Sequence, residues 1–200
     1  MAVENKANIV AVMGGSGSGK STYIKREIKR LKPKRMMIFD VMHEYGDLGQ
    51  IVTTCADLAR LAKGKSFKLI FQPSSANIQR QFDFFCKLAF EIGDLLMGVE
   101  ELNRVTQANR APPAWQDCTS RGRHRGLIIY GASQRPASVD KDFFSNATKI
   151  RSGRLNFEAD IKTLANVLKV KTHEIDELKP LEFIEREMAT GQINRGILTF

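Results

Sequence analysis

Three stretches of this chain carry residue types whose order and spacing suit phosphate chemistry. The first is Gly14-Gly15-Ser16-Gly17-Ser18-Gly19-Lys20-Ser21. It fits G-x-x-x-x-G-K-[ST], the phosphate-binding P-loop. Its glycines allow the positive-φ turns and close backbone approach that a nest of N–H donors requires. A helix opening directly behind them adds its partial positive charge. In such a loop Lys20 reaches the β- and γ-phosphates and Ser21 ligates Mg²⁺. Gly14 through Ser21, with Thr22 beside them, form the expected nucleotide-binding set, and ATP with Mg²⁺ is the expected cofactor.

The second stretch is Leu95-Leu96-Met97-Gly98-Val99-Glu100-Glu101, an apolar strand ending in paired carboxylates. P-loop ATPases that place a catalytic glutamate after a strand use this layout. The first acid, Glu100, holds Mg²⁺ through its water shell, and the second, Glu101, polarises the attacking water for in-line displacement. Glu100 stands where Asp is usual, so its longer side chain alters the reach. Both glutamates would also suit the opening of a helix, where acids are favoured.

The third is Leu127-Ile128-Ile129-Tyr130-Gly131-Ala132-Ser133-Gln134-Arg135-Pro136. An apolar strand runs into a polar residue, and Gln134 at its exit could touch the γ-phosphate or the attacking water.

The elements that must position these groups alternate between strand and helix. Residues 8–13 are a short apolar run ahead of the P-loop, and 22–28 show helical spacing behind it. Strands are expected at 35–40, 67–71, 95–99, 127–130 and 148–150. A helix at 56–62 is expected to end at Gly64, a good C′ residue. Ile78, Phe82, Phe85, Ala89 and Ile92 recur at three- and four-residue steps, so 75–92 reads as an amphipathic helix. Ile161, Leu164 and Leu168 mark a late helix, and Thr172 is expected to cap a short one rich in acids. Residues 183–188 and 193–200 around Thr190-Gly191 read as a β-hairpin. The fold class is therefore α/β: a P-loop core with a mostly parallel sheet and helices on both faces, followed by C-terminal helices and a hairpin. We expect a single domain over 1–200, with its core at about 1–150 and an extension at about 151–200.

Composition narrows the function classes. A hydrophobic share of 42% and a charged share of 26% are those of a soluble globular protein. No apolar run approaches the roughly 20 residues that span a bilayer, and residues 1–6 carry no secretory h-region. Cys55, Cys86 and Cys118 form no C-x-x-C pair, and His43, His124 and His173 are scattered, which argues against a zinc site and for reduced thiols. Net charge is +9, from 31 basic and 22 acidic residues, which favours a polyanionic partner. Lys25, Arg26, Lys29, Arg30, Lys32, Lys34 and Arg35 crowd the P-loop helix and its exit, as a solvated face or a nucleic-acid-facing one. A second cluster is Arg121-Gly122-Arg123-His124-Arg125. Asn109-Arg110-Ala111-Pro112-Pro113-Ala114-Trp115 is a candidate pore loop, unless Trp115 is a buried anchor.

Taken in order, these elements resemble the FtsK–HerA superfamily of DNA-pumping ATPases. The resemblance rests on the P-loop, the run Phe39-Asp40-Val41-Met42-His43-Glu44-Tyr45, Glu100-Glu101, the Gly122–Gly126 entry to a strand and Ser133-Gln134-Arg135-Pro136 at its exit. It implies a RecA-like core assembled as a ring, usually a hexamer, with ATP between subunits. It implies that Gln134 is a sensor and that an arginine finger precedes its strand; Arg123 fits best, with Arg121 and Arg125 as neighbours. The short chain is most similar to the genome-packaging ATPases of tailless, membrane-containing bacteriophages and related icosahedral viruses. Double-stranded DNA, capsid or vertex proteins, host cytoplasm and the virion's packaging vertex are the partners and places so implied. Other pumps of the superfamily, a small P-loop kinase, and a DNA-binding regulator with a helix-turn-helix at 160–178 are the competing readings.

Overall fold

The computed structural model of the protein describes residues 8–199. The N-terminal segment read above as lacking a secretory h-region, and Phe200 at the end of the expected hairpin, lie outside them. The strands are β1 (Asn8–Met13), β2 (Arg35–Phe39), β3 (Gln50–Val52), β4 (Phe67–Phe71), β5 (Leu96–Val99), β6 (Ile128–Ser133), β7 (Lys149–Ser152), β8 (Glu182–Glu187) and β9 (Ile193–Ile197). The helices are α1 (Lys20–Leu31), α2 (Cys55–Leu61), α3 (Ile78–Ile92), α4 (Pro113–Arg121), α5 (Lys141–Asn146), α6 (Glu158–Leu168) and α7 (Thr172–Asp176).

The strands form one sheet in the order β3-β4-β2-β5-β6-β1-β7-β8-β9. All pairs from β3 to β7 are parallel, and the two pairs made by β8 are antiparallel. Parallel strands need crossovers, and a parallel sheet is covered on both faces, so its strands are apolar throughout. Period-two alternation then sorts side chains between two cores. On one face Tyr23, Ile24 and Ile28 of α1 meet Val10, Val12, Met36, Ile38 and Tyr130. On the other, Leu58, Phe82, Phe85, Trp115, Phe143 and Leu164 from α2 to α6 meet Ile9, Ala11, Met37, Phe39 and Met97. Helices thus cover both faces, as expected, but unequally.

Several local expectations need correction. Helix α2 closes at Ala62, whose N–H bonds to Leu58 O, and Gly64 is not left-handed, so it is no C′ glycine. Thr172 is the first residue of α7 rather than its cap. Lys171 takes that position, and the Glu174 carboxylate reaches back to its N–H at 2.9 Å. Residues 113–115 are not loop but the first turn of α4, which opens on Pro113. Trp115 is fully buried and donates from Nε1 to Asp140 Oδ2 at 3.0 Å, so it is an anchor. Helix α6 buries Ile161, Leu164, Ala165 and Leu168, the core packing that competed with a helix-turn-helix. Among the described residues no helix is long and apolar enough to cross a membrane.

Candidate nucleotide site

The residues singled out by type leave the sheet at the C-terminal ends of neighbouring parallel strands. The P-loop follows β1, Glu100 and Glu101 follow β5, Gln134 follows β6, and Asp40 follows β2. Met13 pairs with Ser133 and Val99 with Gly131, so these exits share one edge of the sheet. That edge is where open α/β sheets bind ligands. Ser16, Gly17, Gly19, Lys20, Ser21, Thr22, Glu100, Glu101 and Gln134 line one cavity there of about 340 Å³, with Met42, Glu44 and Leu181. Gly14, Gly15 and Ser18 of the same loop are not among its lining residues.

The P-loop adopts its shape because its glycines do. Gly14, Gly17 and Gly19 have φ of 155°, 73° and 85°. Gly15 N–H donates to Arg154 O at 2.7 Å and Gly14 N–H to Ser133 O at 3.2 Å, tying the loop to both flanking strands. Any side chain at Gly14 would strike Ser18 Oγ, 2.4 Å from an ideal Cβ. Gly19 faces the C-terminal hairpin: an ideal Cβ would stand 2.7 Å from Leu198 Cδ2 and 3.2 Å from Leu181 Cδ2. The hairpin is fixed in turn by Arg151, whose guanidinium lies 4.2 Å from the Tyr23 ring of α1 and 3.4 Å from the Phe183 ring of β8. Gly19→Ala therefore combines a left-handed non-glycine with a clash. We expect the unfolding midpoint to fall by about 2–8 °C, from the ~1–2 kcal/mol of the backbone conformation alone. An unchanged midpoint in a thermal melt would contradict this packing.

Lys20 Nζ donates to Gly15 O at 3.1 Å. Burial pulls its ammonium below the usual range, against the carboxylates of Glu101, Glu44 and Glu100. Opposite stands an acidic wall. Asp40, fully buried, accepts Glu44 N–H at Oδ1 and Tyr45 N–H at Oδ2, at 2.9 and 3.1 Å. The Asp-x-x-x-Glu-Tyr element is thus a carboxylate-capped turn after β2, and it points Glu44 into the cavity. Glu100 accepts Met42 N–H at 3.0 Å.

Burial pushes the Glu100 carboxyl up to about 8; Glu44 and Asp40 add to the rise, and the Met42 N–H opposes it. The unfolded chain releases this proton near 4.5. The stability it contributes is complete below that pH and is lost as pH rises through the folded-state value. Glu100→Gln imitates the protonated form. It should melt above wild type at about pH 9, with the gap closing toward about pH 5. A gap that ignores pH would show that Glu100 is ionised throughout.

Glu101 has φ of 50°, in the left-handed region that non-glycine residues seldom occupy. Such outliers concentrate where surrounding structure over-determines them. Here Glu101 Oε1 accepts Gln134 Nε2 at 2.7 Å, and Ser133 Oγ donates to Asn103 Oδ1 at 2.7 Å, so the ends of β5 and β6 are stitched together. The stitch is held from behind. Arg135 pairs with the fully buried Asp160 of α6 at 2.8 Å and lies 4.3 Å from the Phe157 ring.

The arginine cluster is elsewhere. Gly122–Arg125 form a 3-10 turn at the N-terminal end of β6, so a strand length of about 20 Å separates them from the cavity edge. Arg121 pairs with Asp117 at 2.6 Å. Arg125 donates to Phe90 O at 2.8 Å and also to Glu91 O. Arg123 is exposed, with Nε 3.2 Å from His124 Nε2. None of the three reaches this chain's own cavity.

Leu181 is the cavity residue that motif reasoning missed. It lies on the way into β8, with φ of 67°, and accepts Leu198 N–H at 2.9 Å. Nothing in its sequence surroundings ties it to a loop more than 160 residues earlier.

Protein P9 of Pseudoalteromonas phage PM2 is 30% identical over 177 residues, covering 84% of this chain and 78% of P9. The chain belongs to the P9 family. No family model matches it. Among solved structures, the genome packaging NTPase B204 of Sulfolobus turreted icosahedral virus 2, in complex with ATP-gammaS, superposes with a TM-score of 0.81. It is 17% identical and covers 96% of this chain and 98% of B204. The bacterial conjugative coupling protein TrwBΔN70 gives a TM-score of 0.68 at 10% identity, over 96% of this chain and 85% of TrwB. At such identities the likeness is one of fold. It bears out the expected α/β P-loop architecture for this P9 relative.

Proposed function

We propose that this P9-family chain is an ATP-driven double-stranded DNA translocase that packages a viral genome into a preformed capsid. One observation carries the reading: the P-loop, the glutamate pair and Gln134 converge on a single cavity, in a fold that a genome packaging NTPase shares almost from end to end. Backbone N–H groups of the glycine loop hold the phosphates, and Lys20 turns from Gly15 O to the β- and γ-phosphates. Glu101 accepts the proton of the attacking water. Gln134, bonded to Glu101 Oε1, registers whether the γ-phosphate is present.

The donors beside the phosphate loop are oxygen atoms, the Ser21 hydroxyl and the Glu100 carboxylate, within a wall where Asp40, Glu44 and Glu100 crowd like charges. That donor set fits a hard cation such as Mg²⁺. When bound, Mg²⁺ neutralises charge on the phosphate oxygens. The working form is a hexameric ring, acting in the host cytoplasm and at a capsid vertex. The net charge of +9 supports contact with phosphates rather than base edges, since a motor must move along any sequence.

A second reading is a DNA-transfer pump of the conjugative type, supported by the TrwB fold. The two separate in infected or induced cells. Under the packaging reading, cells carrying Glu101→Gln accumulate empty, DNA-free capsids. Filled particles from that variant, with no other packaging ATPase present, would end the assignment even if ATP hydrolysis were confirmed.

A further inference from the structure

A second, larger cavity of about 690 Å³ opens between the start of α3 and the loop that leads from Glu101 to α4. It lies at the same edge of the sheet as the nucleotide site, because β4 and β5 both run out into its walls. Gln79, Arg80, Lys87, Gln107 and Arg110 line it. Its acid, Asp83, is paired with Lys87 at 2.7 Å. Arg80 and Arg110 are exposed, as is Arg104 on the same loop. The first turns of α3 and α4 contain no acidic residue, so nothing on those turns opposes an anion.

The loop on the far wall is braced. Gln107 and Arg110 exchange backbone hydrogen bonds at 2.8 and 2.9 Å. Thr106 Oγ1 donates to Leu102 O at 3.0 Å, and Pro112-Pro113 stiffen the exit. Gln79 Nε2 latches α3 to Arg104 O at 2.8 Å. The loop begins at Glu101, the left-handed residue bonded to Gln134, and Asn103 is bonded to Ser133. A change in the Glu101–Gln134 contact therefore acts at the root of a stiff segment that carries Arg104 and Arg110.

We propose that this groove grips the phosphate backbone of duplex DNA through Arg80 and Arg110, and that the 102–112 loop transmits the nucleotide state to that grip. The inference rests on the packaging reading and names its DNA contact. Guanidinium groups suit the task because their planar forks match phosphate oxygens. Glutamine side chains add hydrogen bonds that position without reading sequence.

The test uses the full chain with a fluorescein-labelled random-sequence duplex, read by salt titration and by DNA-stimulated ATP turnover. In Arg80→Ala/Arg110→Ala the log–log salt slope of binding should become shallower by about 1.8, at about 0.9 for each lost phosphate contact. DNA stimulation should fall by about tenfold or more, with basal turnover and the thermal midpoint unchanged. Arg80→Lys/Arg110→Lys, which keeps the charges and loses the forks, should recover part of the binding. The rival basic surface is the α1 end, represented by Lys29→Ala/Lys34→Ala, which should keep wild-type stimulation. A wild-type slope in the groove variant, or loss of stimulation in the α1 variant instead, overturns the groove assignment and leaves the packaging reading standing. A wild-type protein that hydrolyses ATP but neither binds nor responds to duplex DNA, as monomer or ring, overturns both.

Discussion

Lys20→Ala should abolish both nucleotide binding and turnover, while Glu101→Gln should bind ATP and scarcely hydrolyse it. The two differ because the side chains act at different stages. Lys20 is a cation held in a partly buried cavity, where its Nζ donates to Gly15 O. Removing it leaves the phosphate charge unanswered and the acidic wall unopposed. Glu101→Gln keeps the shape and an acceptor oxygen for Gln134 Nε2, so the stitch between β5 and β6 survives. What the amide cannot do is take the proton of the attacking water. General-base removal should cost on the order of 10²–10⁴ in rate at unchanged ATP affinity. Fluorescent ATP binding and phosphate release, measured on the same preparations, separate the two defects. Wild-type turnover in Glu101→Gln would remove that residue from the mechanism.

The parts legible in the sequence share one property: their physics is local. The P-loop is contiguous, and Gly14, Gly17 and Gly19 take their positive-φ turns within the same eight residues. Glu100, Glu101 and Gln134 were legible because an apolar run stops abruptly at a polar residue, and parallel strands bring their ends to one edge. What escaped depends on neighbours distant in sequence. The left-handed backbone of Glu101 follows from its place between β5 and the braced loop, and glutamate carries no preference that would announce it. Leu181 reaches the cavity only because β8 pairs antiparallel with β7. The Arg135–Asp160 pair joins a strand exit to a helix that reads from sequence as ordinary core packing. Short elements were also hidden. β3 has three residues, and α5 has six, capped by Asp140, too few for periodicity to register. Helix α4 did carry a signal, since proline at the first helical position is a start as readily as a break. The diproline drew attention to a loop, and the loop ends where the helix begins.

Arg123→Ala should keep ATP affinity and lose turnover by ~10³-fold, the scale on which arginine fingers act. The geometry makes this a statement about assembly. Arg123 stands at the N-terminal end of β6 and the phosphate loop at the C-terminal end of its neighbour β1, so no rotamer brings them together within one chain. Under the proposed function, Arg123 serves as a finger only by acting on the cavity of an adjacent subunit. Its neighbours are less free to do so: Arg121 is paired with Asp117, and Arg125 is bonded to two carbonyls at the end of α3. Replacing Arg125 should accordingly disturb the packing of α3 on the turn before it disturbs catalysis, and so shift the thermal midpoint where Arg123→Ala does not. Mixing supplies the decisive arm. A ring of Arg123→Ala subunits has intact P-loops without fingers, and a ring of Lys20→Ala subunits has fingers without working P-loops. Mixed rings regain interfaces that pair one sound half with the other, and activity should return in part at intermediate ratios. If no mixture recovers activity and the isolated wild-type monomer is fully active, the active site is complete within one chain and Arg123 belongs to the surface.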